Sequence, residues 1–123
     1  MAVILLVEDD DAILELLGDS LEAAGYRTLR CIDWAAARDL LKTETPDLAI
    51  LDYMLPGRTG KYIFDQLQLS PQSKGLPVIF ITGAMRIRED LPMTRRIKFM
   101  RKPIDLKMLH HHVSGLLALG RPG

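Results

Sequence analysis

Residues 3–11 read VILLVEDDD, five apolar positions rich in β-branched side chains and stopped by four acids. A half-exposed strand would alternate apolar and polar residues. Unbroken apolarity over five positions instead suits a strand buried on both faces of a parallel sheet. The run is far too short to span a bilayer, has no preceding basic stretch, and is neither a signal peptide nor a membrane anchor.

Outward from this strand the pattern changes period. From Asp11 onward Ile13, Leu14, Leu17, Leu21 and Ala24 recur at helical spacing, one of Asp10 and Asp11 caps the helix, and Gly25 stands where a left-handed stop belongs. Residues 26–31 read as a short strand, and Asp33 as the N-cap of a helix over residues 34–42. Residues 48–51 are the next buried strand, followed by a loop with Pro56 and Gly57 and a helix from Gly60 that turns Ile63, Phe64 and Leu67 inward. After the polar connection 70–75 come a buried strand at 77–81, a short last strand at 99–101, and a helix capped by Asp105 with Leu106, Leu109, Val113, Leu116 and Leu117 on one face. Strands alternating with helices imply an α/β fold with a parallel sheet and right-handed crossovers.

At 123 residues with 48% hydrophobic residues the chain accommodates one domain, expected over residues 1–119 with a frayed tail at 120–123 and no output domain. Sixteen basic residues balance sixteen acidic ones, which argues against direct nucleic-acid binding. The single cysteine, Cys31, has no internal disulfide partner and fits a cytoplasmic protein.

Polar residues stand at the C-terminal ends of four expected strands: Glu8 and Asp9, Asp52, Thr82 and Lys102. In open α/β sheets the ligand crevice lies outside these ends, so the five residues would share one site. Like charges about 4 Å apart repel by roughly 4 kcal/mol at an effective dielectric near 20, and one lysine is too little to compensate three carboxylates. A hard divalent cation such as Mg²⁺, which takes one or two carboxylates, waters and phosphoryl oxygens, resolves this. Asp52, at the end of an apolar strand with no adjacent acid, is the candidate carboxylate nucleophile. Lys102 and the Thr82 hydroxyl would meet the phosphoryl oxygens. Taken alone, Asp52 would read as a turn or capping acid, Thr82 as a strand-end hydrogen-bonder and Phe99 as plain core.

Four motifs together resemble the receiver domain of response regulators: Val-Glu-Asp-Asp at 7–10, Leu-Asp-Tyr-Met-Leu-Pro-Gly at 51–57 with Gly60 beyond, Ile-Thr-Gly-Ala at 81–84, and Lys102 followed by Pro103. The resemblance implies a doubly wound, flavodoxin-like sheet of five parallel strands in the order 2-1-3-4-5 with helices on both faces. It implies that Asp52 accepts a phosphoryl group from a histidine kinase or histidine phosphotransfer protein, and that Mg²⁺ is held by Glu8, Asp9, Asp52 and the backbone carbonyl of Met54. Thr82 and Phe99 become the switch pair, Lys102 the phosphoryl-binding lysine, and the Lys102–Pro103 bond cis. Met54 and Ala84 would tune access of water to the acyl phosphate. Activity is then self-catalysed phosphotransfer and slow self-dephosphorylation rather than turnover of a separate substrate. The chain would act as a monomer or weak dimer.

Rival readings are a pseudo-receiver serving as a phosphorylation-independent interaction module, a fragment of a larger regulator or hybrid kinase, a small-molecule binder, and an aspartyl-phosphate phosphatase. Intact acids, Thr82 and Lys102 speak against the first. The small-molecule binder lacks a glycine-rich loop after the first strand, and the phosphatase lacks a second acid near Asp52. The chain departs from the family between Thr82 and Lys102, where Pro92 predicts a fourth helix that is short or irregular, starting near Pro92 and running about two turns to Phe99. A downstream protein would dock on the face from Met85 to Arg101. Here Arg86, Arg88, Arg95, Arg96, Lys98 and Arg101 read either as solvated surface or as a seat for an acidic partner. His110, His111 and His112 point in different directions on their helix and read as solvated surface, not as a chelate.

Overall fold

A computed structural model describes residues 1–55, 58–83 and 94–120. Its elements are β1 (Val3–Val7), α1 (Asp11–Ala23), β2 (Arg27–Cys31), α2 (Trp34–Leu40), β3 (Leu48–Asp52), β4 (Met54–Leu55), β5 (Arg58–Thr59), α3 (Gly60–Gln68), β6 (Val78–Thr82), β7 (Ile97–Arg101) and α4 (Leu106–Leu119). Five strands pair in parallel in the order β2-β1-β3-β6-β7. With the β4–β5 hairpin set aside, this is the expected 2-1-3-4-5 order of the flavodoxin-like fold.

The continuous apolar strands are explained by what covers each face. Leu5, Val7, Ala49, Leu51, Val78 and Phe80 pack with Trp34 and Ala37 of α2 and Ile63, Phe64 and Leu67 of α3. Ile4, Leu6, Leu48, Ile50, Ile79 and Ile81 pack with Leu14, Leu17 and Leu21 of α1 and Leu109, Val113 and Leu116 of α4. Successive strand residues point to opposite faces, and both faces are dry, so both parities are apolar. The helices start where side chains satisfy their free N–H groups: Asp10, Asp33, Thr59 and Asp105 each accept from the backbone N–H three residues on. Gly25, at φ 98°, supplies the left-handed turn after α1.

Three expectations need correction, two in the chain path and one at the histidines of α4. The loop after Asp52 contains a short antiparallel hairpin, with Met54 opposite Thr59 and Leu55 opposite Arg58. Pro56 and Gly57 lie outside the described residues. The last sheet strand begins at Ile97, two residues earlier than expected, so no helix reaches Phe99. Ile97 is buried and pairs with Val78, while Phe99 pairs with Phe80, and this pairing of apolar side chains on the sheet outweighs helix formation. The start at Pro92, Ala84 and the tail beyond Gly120 lie outside the described residues.

No described helix is long and apolar enough to cross a membrane. His111 is exposed as expected, but two of the histidines are less solvated: Ser20 Oγ and His110 Nε2 lie 2.7 Å apart between α1 and α4, and His112 is half-buried.

Candidate functional site

The strand ladders continue one residue beyond the sheet and so fix the site. Glu8 N–H donates to Cys31 O at 3.0 Å, Tyr53 N–H to Ile81 O at 2.8 Å, and Lys102 N–H to Thr82 O at 2.9 Å. Glu8, Asp52, Thr82 and Lys102 therefore leave the ends of β1, β3, β6 and β7 from a rigid edge. The Lys102–Pro103 bond is cis. The cleft above, about 520 Å³, is lined by Glu8, Asp9, Asp10, Asp52, Met54, Gly83 and Lys102.

Carboxylate oxygens of Glu8, Asp9 and Asp52 lie within 4.8 Å of one another. Lys102 Nζ donates to Glu8 Oε1 at 3.2 Å and to Asp52 Oδ2 at 3.1 Å. Asp52 Oδ1 accepts from Met54 N–H at 3.0 Å, and Glu8 Oε1 accepts also from Asp10 N–H at 3.2 Å. Glu8 and Asp52 are buried, as is Thr82, whereas Asp9 is exposed. Burial, and then the charge of Asp52, push the Glu8 carboxyl up to about 7, against the hydrogen bond from Asp10 and the attraction of Lys102. Burial pulls the Lys102 ammonium down, but hydrogen bonds and charge from Asp52 and Glu8 outweigh it and leave its pKa raised.

These residues fit a hard divalent cation. All donors are oxygens, the acids outnumber the one ammonium, and Glu8 Oε2 is buried without a hydrogen-bond partner among the described residues. An oxygen left that way is costly unless it serves as a ligand.

Of the expected site residues, Glu8, Asp9, Asp52, Met54 and Lys102 line this cleft, while Thr82 is the buried last residue of β6, next to the lining residue Gly83. Phe99 lies one layer below, its ring stacked on Phe80 with centroids 5.5 Å apart. Sequence reasoning assigned Asp10 only to capping. Its side chain does accept from Ile13 N–H, but its backbone N–H also orients Glu8. Backbone roles of this kind leave no mark on residue type.

The pattern of the response regulator receiver domain matches residues 4–114. The chain belongs to this family. The receiver is 31% identical over 121 residues to the phosphate regulon transcriptional regulatory protein PhoB of Rhizobium meliloti, covering 97% of this chain and 53% of PhoB. It spans about half the length of the transcriptional regulators it matches. Among solved structures, the non-phosphorylated HemR receiver domain of Leptospira biflexa is 29% identical with a TM-score of 0.85, covering 100% of this chain and 99% of that one. The receiver domain of the hybrid histidine kinase CckA is 30% identical with a TM-score of 0.74, covering 94% of this chain and 99% of that one.

Proposed function

We propose that this receiver takes a phosphoryl group onto Asp52 in a Mg²⁺-dependent reaction and thereby switches a protein-interaction face beside β7. A carboxylate oxygen of Asp52 attacks phosphorus and forms the P–O bond. The P–N bond to a phosphohistidine of a histidine kinase or phosphotransfer protein breaks, and the imidazole leaves with its electron pair. Glu8, Asp9, Asp52 and the Met54 carbonyl would hold the cation, which supplies charge neutralisation to the phosphoryl oxygens. Lys102, released from part of its contact with Asp52, and the Thr82 hydroxyl would hold the transferred group; positioning and electrostatics do most of the work in such transfers. Thr82 and Phe99 act as the switch pair.

The observation that carries this reading is the convergence of Glu8, Asp9, Asp52 and Lys102 on one cleft, with Glu8 Oε2 buried and without a hydrogen-bond partner among the described residues. Acetyl phosphate with Mg²⁺ should add one phosphoryl group, read by intact mass, that is absent with EDTA and absent from Asp52→Asn. Undiminished labelling of Asp52→Asn refutes the assignment.

A further inference from the structure

We propose that the pocket between α2 and α3 binds a small monocarboxylate with an apolar body, its carboxylate on the Arg38 guanidinium and its body on Trp34. The pocket, about 190 Å³, lies toward the end of the sheet opposite the Asp52 cleft, where Pro46 leads into β3 and residues 70–73 lead toward β6. Trp34, Arg38 and Leu41 follow one another at i, i+4 and i+7, so one face of α2 supplies the near wall. Leu67 of α3 and Pro46 complete the apolar lining. Two contacts hold the rest in place. Ser73 Oγ donates to Leu67 O at 2.7 Å, which ties the loop after α3 to the helix end, and both terminal nitrogens of the Arg27 guanidinium donate to Glu44 at 3.0 Å. Walls fixed in this way need little ordering when a ligand enters.

Unpaired hydrogen-bond donors set the class of ligand. Glu44 is the single carboxylate of the lining, and the hydrogen bonds from Arg27 already satisfy it and hold its pKa below the usual range. The Arg38 guanidinium has no ion pair or hydrogen bond among the described residues. Trp34 is 8% exposed and lines the pocket, and its indole N–H likewise has no hydrogen-bond partner among the described residues. Both groups donate and cannot accept, so the complementary ligand brings an acceptor, and the charge of Arg38 favours an anionic one. A cationic ligand would meet Arg38 with no free carboxylate to offset it. Size excludes larger anions: a water claims about 30 Å³ of liquid, so 190 Å³ admits a ligand of roughly ten non-hydrogen atoms, less than a nucleotide. Inorganic phosphate would leave the apolar lining of Trp34 and Leu67 uncovered. The inference does not rest on the phosphorylation of Asp52.

Trp34 is the sole tryptophan of the chain, so its fluorescence reports on the pocket directly. The probe is 3-phenylpropionate, with 3-phenylpropionamide and 2-phenylethylamine as uncharged and cationic controls. The acid should change the fluorescence saturably, with a Kd of about 1 mM or lower for a ligand of this size. Each control should bind about tenfold more weakly, the loss expected for a charge-assisted hydrogen bond. Arg38→Gln should bring the acid down to the affinity of the amide, and Arg38→Lys should restore part of the difference. In NMR spectra of the full labelled chain the single indole N–H should move downfield, with backbone shifts centred on residues 34–46 and 66–73. Equal binding of acid and amide, undiminished binding by Arg38→Gln, shifts centred on Lys102, or no saturable change at tens of millimolar acid would each overturn the proposal.

Discussion

Lys102 donates to Asp52 across 50 residues of chain, at 3.1 Å, and the same ammonium reaches Glu8 at 3.2 Å. Both carboxylates are buried, so at pH 8, above the raised pKa of Glu8, removing the ammonium either leaves two like charges with no described side-chain cation between them or forces Glu8 to take up a proton. Lys102→Met should therefore destabilise the metal-free protein by about 3 kcal/mol, the order of cost for breaking a buried ion pair. Mg²⁺ should restore more stability to this variant than to the wild type, because it would replace the missing charge. Urea unfolding in EDTA and in Mg²⁺ measures both effects, and equal stability of variant and wild type in EDTA would count against the pairing.

Glu8 gives the metal-free state a pH dependence of its own. Its folded pKa is about 7, raised from 4.5, so between these values the folded chain keeps a proton that the unfolded chain has lost. The contribution of Glu8 to stability is thus fully present below pH 4.5 and is lost as pH rises through about 7. Metal competes with that proton, and Mg²⁺ affinity should rise with pH over the same window. Urea midpoints in EDTA from pH 5 to 8 should carry this downward component, and Glu8→Gln should remove it.

The strand core was legible because burial on both faces leaves an unmistakable apolar run, as at residues 3–7. The helix starts were legible because Asp33 and Asp105 cap by side-chain type. The strand start at Ile97 was not, because one apolar residue among Arg95, Arg96 and Lys98 is too short a signal to show a period, and the pairing of Ile97 with Val78 is what reveals it. The β4–β5 hairpin escaped for a similar reason: two-residue strands are too short to show a period. At the site, side chains that carry charge were found from sequence, while the backbone donors of Asp10 and Met54 were not.

Met54 is 60% exposed and lines the cleft directly after Asp52 and Tyr53. Its thioether cannot orient a water as an acid or amide would. Phosphorylated Asp52 should therefore decay slowly, and Met54→Glu or Met54→Asn should change the decay rate several-fold without preventing labelling. Release of inorganic phosphate from the purified acyl phosphate measures the rate, and unchanged decay in both variants removes the argument.

Gly60 begins α3 against the aromatic layer. A Cβ there would lie 2.9 Å from Phe80 Cε1 and 2.9 Å from Tyr53 Cα, too close for either to stay in place. Backbone is one of the two obstacles, and Gly60 N–H is itself held by Tyr53 O at 2.7 Å. Gly60→Ala should cost roughly 1–3 kcal/mol by overpacking, with no recovery in Mg²⁺. A urea midpoint equal to that of the wild type would show that the layer yields freely.

The same aromatic layer offers a route from Asp52 to Phe99. Tyr53, the neighbour of Asp52, meets Phe80 edge-on with centroids 5.8 Å apart, and Phe80 stacks on Phe99 with planes 22° apart. Phe80 is fully buried, so movement at either end must be accommodated by its ring or by the backbone that carries it. Phe80→Leu removes the shared ring at a cost of about 1–3 kcal/mol and should leave Asp52 chemistry intact. The readout is fluorine NMR of fluorophenylalanine at the three phenylalanines, assigned by variants. Beryllofluoride with Mg²⁺ should shift the Phe99 resonance in the wild type. In Phe80→Leu the shift should largely disappear while intact mass still shows labelling by acetyl phosphate. A full Phe99 response in the variant would mean that Thr82 and the β6–β7 ladder transmit the signal without the ring stack.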